Sequence, residues 1–229
     1  LLSANLVEKV AMTVTESPYR VTADVISSTC GQSISHGGVW NLMQRPGERI
    51  SSEEEHAVKQ MEAGEAGGTK EVPVLFEEMD GVWLFMQDKK HKKMKKQEMK
   101  VCTVYEGWDA ESRGRNRLVN KTVLAGMEKS SEFHAKREAV IEKTYAADEI
   151  GQRILNGDGG NWIREPYDPE TIFQLDRYHV YQEILRKISD KKAQEDIREL
   201  FDQEKPDEML EYIRIYADSV AGSDETGKG

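Results

Sequence analysis

A mixed α/β fold is the class this 229-residue sequence predicts, and three observations predict it. The first 70 residues carry helix-capping and helix-stop signals. From residue 72 the chain turns to short runs dense in Val, Leu, Phe and Trp, which suit strands. After residue 178 helical spacing returns and persists almost to the end.

The elements follow in order. Residues 1–70 read as helical: a short helix at 21–29, a turn at Gly31, and Ser35 as N-cap of a second helix through Gln44. Pro46 and Gly47 predict a stop, and Ser51-Ser52-Glu53-Glu54 the start of a third helix. The small-residue stretch 63–69 reads as a linker. Two neighbouring strands are expected at 72–79 and 82–87, a third at 99–106 and a fourth at 118–125. A helix is expected at 131–144, short strands at 154–155 and 171–175, then helices at 178–188, 193–201 and 208–220. The last nine residues read as a flexible tail. This gives three regions: a helical 1–70, a mixed core 71–189, and a helical 190–229.

Composition narrows the function. Hydrophobic content of 38% and charged content of 32% describe a globular chain with a modest core. No run approaches the ~18 apolar residues that span a bilayer. Cys30 and Cys102 are the only cysteines, so neither a disulfide framework nor a cysteine metal site is expected, and a cytoplasmic setting fits. Leu1-Leu2-Ser3-Ala4-Asn5 has no initiating Met or basic leader, and both ends read as cut from a longer protein. A net charge of −10 argues against bulk coating of nucleic acid. The charge is segregated, however: Lys89, Lys90, Lys92, Lys93, Lys95, Lys96 and Lys100 crowd one stretch.

Two acids at the ends of apolar runs are the candidate chemistry: Asp80 in Met79-Asp80-Gly81, and Asp158 in Asn156-Gly157-Asp158-Gly159-Gly160. On neighbouring strands they would share a divalent cation. Each has a competing turn reading, Asp-Gly being a preferred hairpin dipeptide and Asn-Gly a common turn. Asp176-Arg177-Tyr178-His179 opens a helix, where Asp176 is also an ordinary cap and would share a helical face with His179. In the amino-terminal region, Ile26, Cys30, Ile34 and Trp40 are the expected core of a helix-turn-helix. Its second helix would offer Ser35, His36, Asn41, Gln44 and Arg45 to DNA; a packing module of three helices patterns alike. Of the lysine stretch, Lys92, Lys93, Lys95 and Lys96 are the candidates for phosphate contact, against the reading of a solvated hairpin tip.

Taken together, Glu78-Met79-Asp80-Gly81-Val82-Trp83, residues 155–163 and Gln174-Leu175-Asp176-Arg177-Tyr178-His179 resemble the ISLre-type bacterial insertion-sequence transposases, from about residue 20 to about residue 215. The resemblance implies an RNase H-like mixed sheet with flanking helices, preceded by a helix-turn-helix and followed by the start of a helical insertion. It implies a DDE-type enzyme in which Asp80 and Asp158 are the first two acids and hold Mg²⁺ or Mn²⁺. Asp176 and His179 match its Asp-x-x-His element, and the third acid, usually Glu, lies after the insertion and has no match here. The implied reaction is cleavage at transposon ends followed by strand transfer to target DNA, in a homo-oligomeric complex without membrane involvement. A nuclease of the same fold and a non-catalytic DNA-binding remnant are the rivals. A glycosidase is disfavoured by an aromatic content of 7%.

Overall fold

The computed structural model describes residues 3–86, 95–109, 116–165 and 168–226. The chain forms two compact units, Leu1–Glu71 with Ser131–Glu149, and Val72–Ser130 with Ile150–Gly229.

The first unit is built on three helices, α1 (Ala4–Glu16), α2 (Tyr19–Cys30) and α3 (His36–Glu62). Ser3 caps α1 and Ser35 caps α3; the Ser35 hydroxyl accepts from the Gly38 N–H at 3.1 Å. Between α2 and α3 the chain turns through Gly31, whose φ of 62° is left-handed, and the Ile34 N–H donates to the Ser27 hydroxyl at 3.1 Å. Leu6, Val10, Ala23, Ile26 and Val39 form the core, with Cys30 and Ile34 packed against it. Trp40 is not core as the sequence predicts. It is 49% exposed, because α3 turns Val39, Leu42 and Met43 inward and Trp40 lies about 100° round from Val39.

The expected stop at Pro46 is also corrected: α3 runs through it, and Ser51-Ser52 lies inside the helix rather than at a new start. Proline removes one intrahelical donor. The carbonyl so orphaned is that of the half-buried Leu42; residues 45–53 are exposed throughout, and an Arg49–Glu53 ion pair at 2.9 Å holds the next turn. The same unit contains β1 (Lys70–Val72), α4 (Ser130–Glu142) and β7 (Tyr145–Ile150); β1 pairs with β7, a strand the sequence does not announce. An ion pair of Lys136 with Glu54 at 3.2 Å ties α4 to α3.

The second unit carries a mixed five-stranded sheet. Its strands are β2 (Leu75–Met86), β3 (Lys95–Tyr105), β6 (Thr122–Gly126), β8 (Arg153–Gly157) and β9 (Thr171–Leu175), in the order β6-β3-β2-β8-β9. β2, β3 and β6 are antiparallel neighbours, and β8 and β9 add in parallel to β2. A small pair, β4 (Trp108–Asp109) with β5 (Arg117–Leu118), precedes β6, so the single strand expected at 118–125 is two. Helices α5 (Asn161–Arg164), α6 (Arg177–Lys187), α7 (Lys191–Asp202) and α8 (Pro206–Thr226) complete the unit. Because α8 continues to Thr226, the tail expected from residue 221 is largely helix; extending a formed helix is cheap even across Gly222.

No hairpin turns at Asp80-Gly81. β2 passes straight through, and its pairing with β3 is unbroken from Phe76↔Tyr105 to Met86↔Lys95. Alternation then sorts the residues. One face carries Leu75, Glu77, Met79, Cys102, Val104, Leu124 and Leu155, all buried. Within it Glu77 is wholly buried and is held by Arg153, whose Nε and Nη2 donate at 2.7 and 3.0 Å. The opposite face carries Phe76, Glu78, Asp80, Val101, Thr103 and Tyr105. Among the described residues, no helix is long and apolar enough to cross a membrane.

Candidate functional site

Strand register gathers the acids. In the parallel part of the sheet Met79 pairs with Gly157, and Gly157 with Leu175. The next residue on each strand is therefore Asp80, Asp158 and Asp176, emerging side by side at one end of the sheet. The Asp176 N–H donates to the Gly157 carbonyl at 2.9 Å, which keeps the third of these in line.

Local chemistry then aims each side chain. Gly157 is tightly enclosed: a Cβ there would meet the Ile163 Cγ2 at 3.0 Å and the Met79 carbonyl at 3.2 Å, so those neighbours would have to give by a few tenths of an ångström. Beyond it the chain turns through Gly159 at a φ of 85°, and the Asp158 Oδ1 accepts from the Gly160 N–H at 2.8 Å. Asp80 Oδ1 accepts from the Gly81 N–H at 2.7 Å, leaving its other oxygen outward. Asp176 caps α6, accepting from the Tyr178 N–H at 3.1 Å, and its Oδ2 lies 2.8 Å from His179 Nδ1. Both readings of Asp176, cap and partner of His179, hold at once.

Asp80, Asp158 and His179 each present a ligand atom, and these atoms lie within 4.8 Å of one another. With His179 Nδ1 engaged by Asp176, Nε2 is the nitrogen available to a cation. The sequence points to the two acids as metal ligands and to His179 as a catalytic group. Its place as a third donor atom was missed, although the acid three residues earlier is the signal that orients it.

The three side chains stand in a cleft of about 860 Å³, lined also by Glu78, Asn156, Gln174, Asp176, Arg177 and Phe201. Glu78 is a fourth acid that sequence reasoning passed over; strand alternation from Asp80 would have found it. The Tyr105 hydroxyl donates to Glu78 Oε1 at 2.8 Å. Burial, then the Glu78 hydrogen bond and charge, pushes the Tyr105 phenol well above its ordinary range, so it stays a donor. Its ring stacks on Phe76 at 5.4 Å and meets the Trp108 edge at 5.4 Å.

Among the described residues, Arg177 is the one Lys or Arg lining the cleft, and it is committed elsewhere. It donates to Asp202 at 2.7 Å, with its guanidinium 4.9 Å from the Phe201 ring, and Tyr181 also bonds Asp202. The Tyr181 and Asp202 hydrogen bonds raise the Arg177 pKa, and those of Tyr181 and then Arg177 lower that of Asp202. A cleft with four acids and one engaged cation attracts metal ions and repels a bare phosphodiester.

The candidate DNA contacts are on other elements. Ser35, His36, Asn41 and Arg45 are exposed on the first turns of α3 and Gln44 is half-buried; the Ser35 hydroxyl is committed to the helix cap. Lys95 and Lys96 are exposed at the outer end of β3, whereas Lys92 and Lys93 lie outside the described residues.

Compared with known proteins, residues 2–222 match a family described as "Uncharacterised protein family (UPF0236)". A curated relative from Streptococcus gallolyticus, described as "UPF0236 protein in vanSb 3'region", is 26% identical over 206 residues, covering 86% of this chain and 42% of the relative. The chain thus spans less than half the length of that relative.

Proposed function

The chain belongs to the UPF0236 family, and from that premise and the convergence of Asp80, Asp158 and His179 we propose that it is the larger part of the catalytic core of a metal-dependent DNA transposase. The observation that carries the reading is the register Met79↔Gly157↔Leu175, which delivers chemistry-bearing residues from three aligned strands to one point. The strand order adds support. Three antiparallel strands, a helix, and two parallel strands added on the far side of the first are what the proposed RNase H-like sheet requires. The acids end the inner portion of its first strand and its fourth.

The donor set fits a hard or borderline divalent cation: two carboxylate oxygens and one imidazole nitrogen whose other nitrogen is held by an acid. The imidazole favours Mn²⁺ more than Mg²⁺. Asp80, Asp158 and His179 would hold the ion; when bound there it supplies positive charge for the scissile phosphate and acidifies a water. Asp176 orients the His179 ring. Gly159 and Gly160 leave backbone room for a phosphate beside Asp158. Asn156 and Gln174 offer neutral polar groups to the cleft, where a further anion would be repelled.

The reaction so framed is hydrolysis at the ends of a mobile element, followed by attack of the freed 3′-hydroxyl on target DNA. Homo-oligomeric assembly on paired ends belongs to the same proposal. A third acid would come from the length that relatives have beyond the segment matched here. One observation favours the rival reading of a DNA-binding remnant: the fourth acid of the cleft, Glu78, is already held by Tyr105.

Titration of Mn²⁺ into the chain, followed by calorimetry and electron paramagnetic resonance, separates the two. Uptake should be lost in Asp80→Asn and Asp158→Asn, and weakened about 10–100-fold in Asp176→Asn, the usual cost of losing a group that orients a ligand. Mn²⁺-dependent nicking of plasmid DNA should fall with it. Unchanged uptake in Asp158→Asn would overturn the metal-site assignment.

A further inference from the structure

The sheet sends out an arm. β8 leaves β2 at Met79↔Gly157 and β6 leaves β3 at Lys100↔Gly126, yet β2 and β3 stay paired as far as Met86↔Lys95. Among the described residues, neither edge of this outer ribbon pairs with another strand. Its β2 side reads Val82-Trp83-Leu84-Phe85-Met86, apolar at every position, although a two-stranded ribbon has no core in which to bury them. Trp83 is 60% and Phe85 57% exposed, and alternation puts both on one face. Lys96, opposite Phe85, holds its Nζ 5.0 Å from that ring. On the same face Lys100 places its Nζ 5.5 Å from the ring of Trp162, which opens α5 just beyond the Asp158 loop. Rings and lysines thus line this face from the ribbon to α5, with Glu98 opposite Trp83 between them, on the side of the sheet away from Asp80.

We propose that this face of the ribbon binds single-stranded nucleic acid, with unpaired bases stacked on Trp83 and Phe85 and a phosphate met by Lys96. Charge selects a polyanion. Residues 81–100 hold seven lysines against Asp88 and Glu98, in a chain whose net charge is −10. A second copy of the chain is the wrong occupant, since ribbon-to-ribbon pairing would set like charges opposite one another.

Spacing selects a single strand. Residues two apart on a β-strand sit about 6.6 Å from each other, roughly twice the ~3.4 Å step along one strand of a duplex. Two rings so placed accept bases drawn apart and do not match a stacked helix. This deepens the proposed function, on which it rests only for the strand being DNA. The binding itself needs no metal.

The test is fluorescence anisotropy of a labelled oligothymidine and a labelled duplex with the full chain in EDTA, where cleavage is silent. The oligothymidine should bind more tightly than the duplex. Trp83→Ala/Phe85→Ala should weaken that binding roughly tenfold or more, the usual loss of base–aromatic stacking, while Trp83→Tyr retains most of it. Lys96→Gln should flatten the salt dependence, by about 0.7 in log–log slope for the phosphate left without its lysine. Unchanged affinity in the aromatic double variant overturns the proposal, as does tighter binding of duplex. So does a self-association of the parent chain, seen by sedimentation, that the double variant abolishes. Strand binding that survives where Mn²⁺ uptake is never found would sink the catalytic reading and leave the ribbon assignment standing. The converse pair of results would do the reverse.

Discussion

The inner and outer halves of β2 share one alternation and one antiparallel partner, but their side chains meet opposite fates. Leu75, Glu77 and Met79 are at most 2% exposed, whereas Trp83 and Phe85 on the same face are more than half exposed. The residues do not explain this, since the outer half is the more apolar. The difference is β8, which runs beside the inner half and stops at Gly157. Among the described residues the inner half has a strand on both edges and the outer half on one. Asp80 sits at the seam, the first β2 position beyond the β8 pairing, where a carboxylate can remain hydrated while its backbone is held by β3.

That contrast can be broken by substitutions on the two sides of the seam. The largest effect is expected from Arg153→Met, which leaves the fully buried Glu77 carboxylate without its bidentate partner. Breaking a buried pair on one side costs about 3–5 kcal/mol, read by urea denaturation at neutral pH. A loss under about 1 kcal/mol, the range of surface pairs, would mean that Glu77 is solvated and that the inner half is not core. Next comes Met79→Ala, at about 2–5 kcal/mol for a truncated core side chain. Trp83→Ala, four residues along the same strand, should stay within about 0.5 kcal/mol of the parent. Equal losses at the two positions would show that the outer half is buried in solution and would erase the distinction.

Local signals carried much of this architecture and failed where distant pairing overrode them. The shift of period near residue 72 marks the sheet, β9 falls at 171–175 as its pattern predicts, and Ser35 caps its helix as its residue type predicts. Asp80-Gly81 misleads because turn propensity is worth little against a long unbroken ladder with β3. β7, with Ala146-Ala147-Asp148-Glu149 at its centre, has almost no strand propensity of its own; it forms by pairing with β1. The acids of the site are legible as apolar runs ending in Asp. Their expected juxtaposition leaned on the family resemblance, because it depends on the parallel register of strands far apart in sequence. Glu78 was passed over because the sequence reading ended a strand before Asp80, whereas β2 runs through both and sets them on one face.

The smallest expected effect lies at the rim of the cleft, and it sharpens the contrast between buried and exposed ion pairs. Asp202 is held below the ordinary carboxylate range, by the Tyr181 hydroxyl first and then by Arg177. A depressed folded value means that its contribution is fully present above the unfolded carboxyl pKa of about 3.9. It is lost as pH falls through the folded value. Arg177 and Asp202 are 54% and 53% exposed, so water and salt screen the pair, and Asp202→Asn should lower the melting temperature only slightly at neutral pH. The signature is in the acid limb. Melting of the parent should fall more steeply than that of Asp202→Asn as pH drops below about 4, and added salt should shrink the gap. Parallel acid limbs would show that Asp202 titrates alike in the folded and unfolded chain. Arg177 would then be left to the Phe201 ring and be freer to meet a phosphate in the cleft.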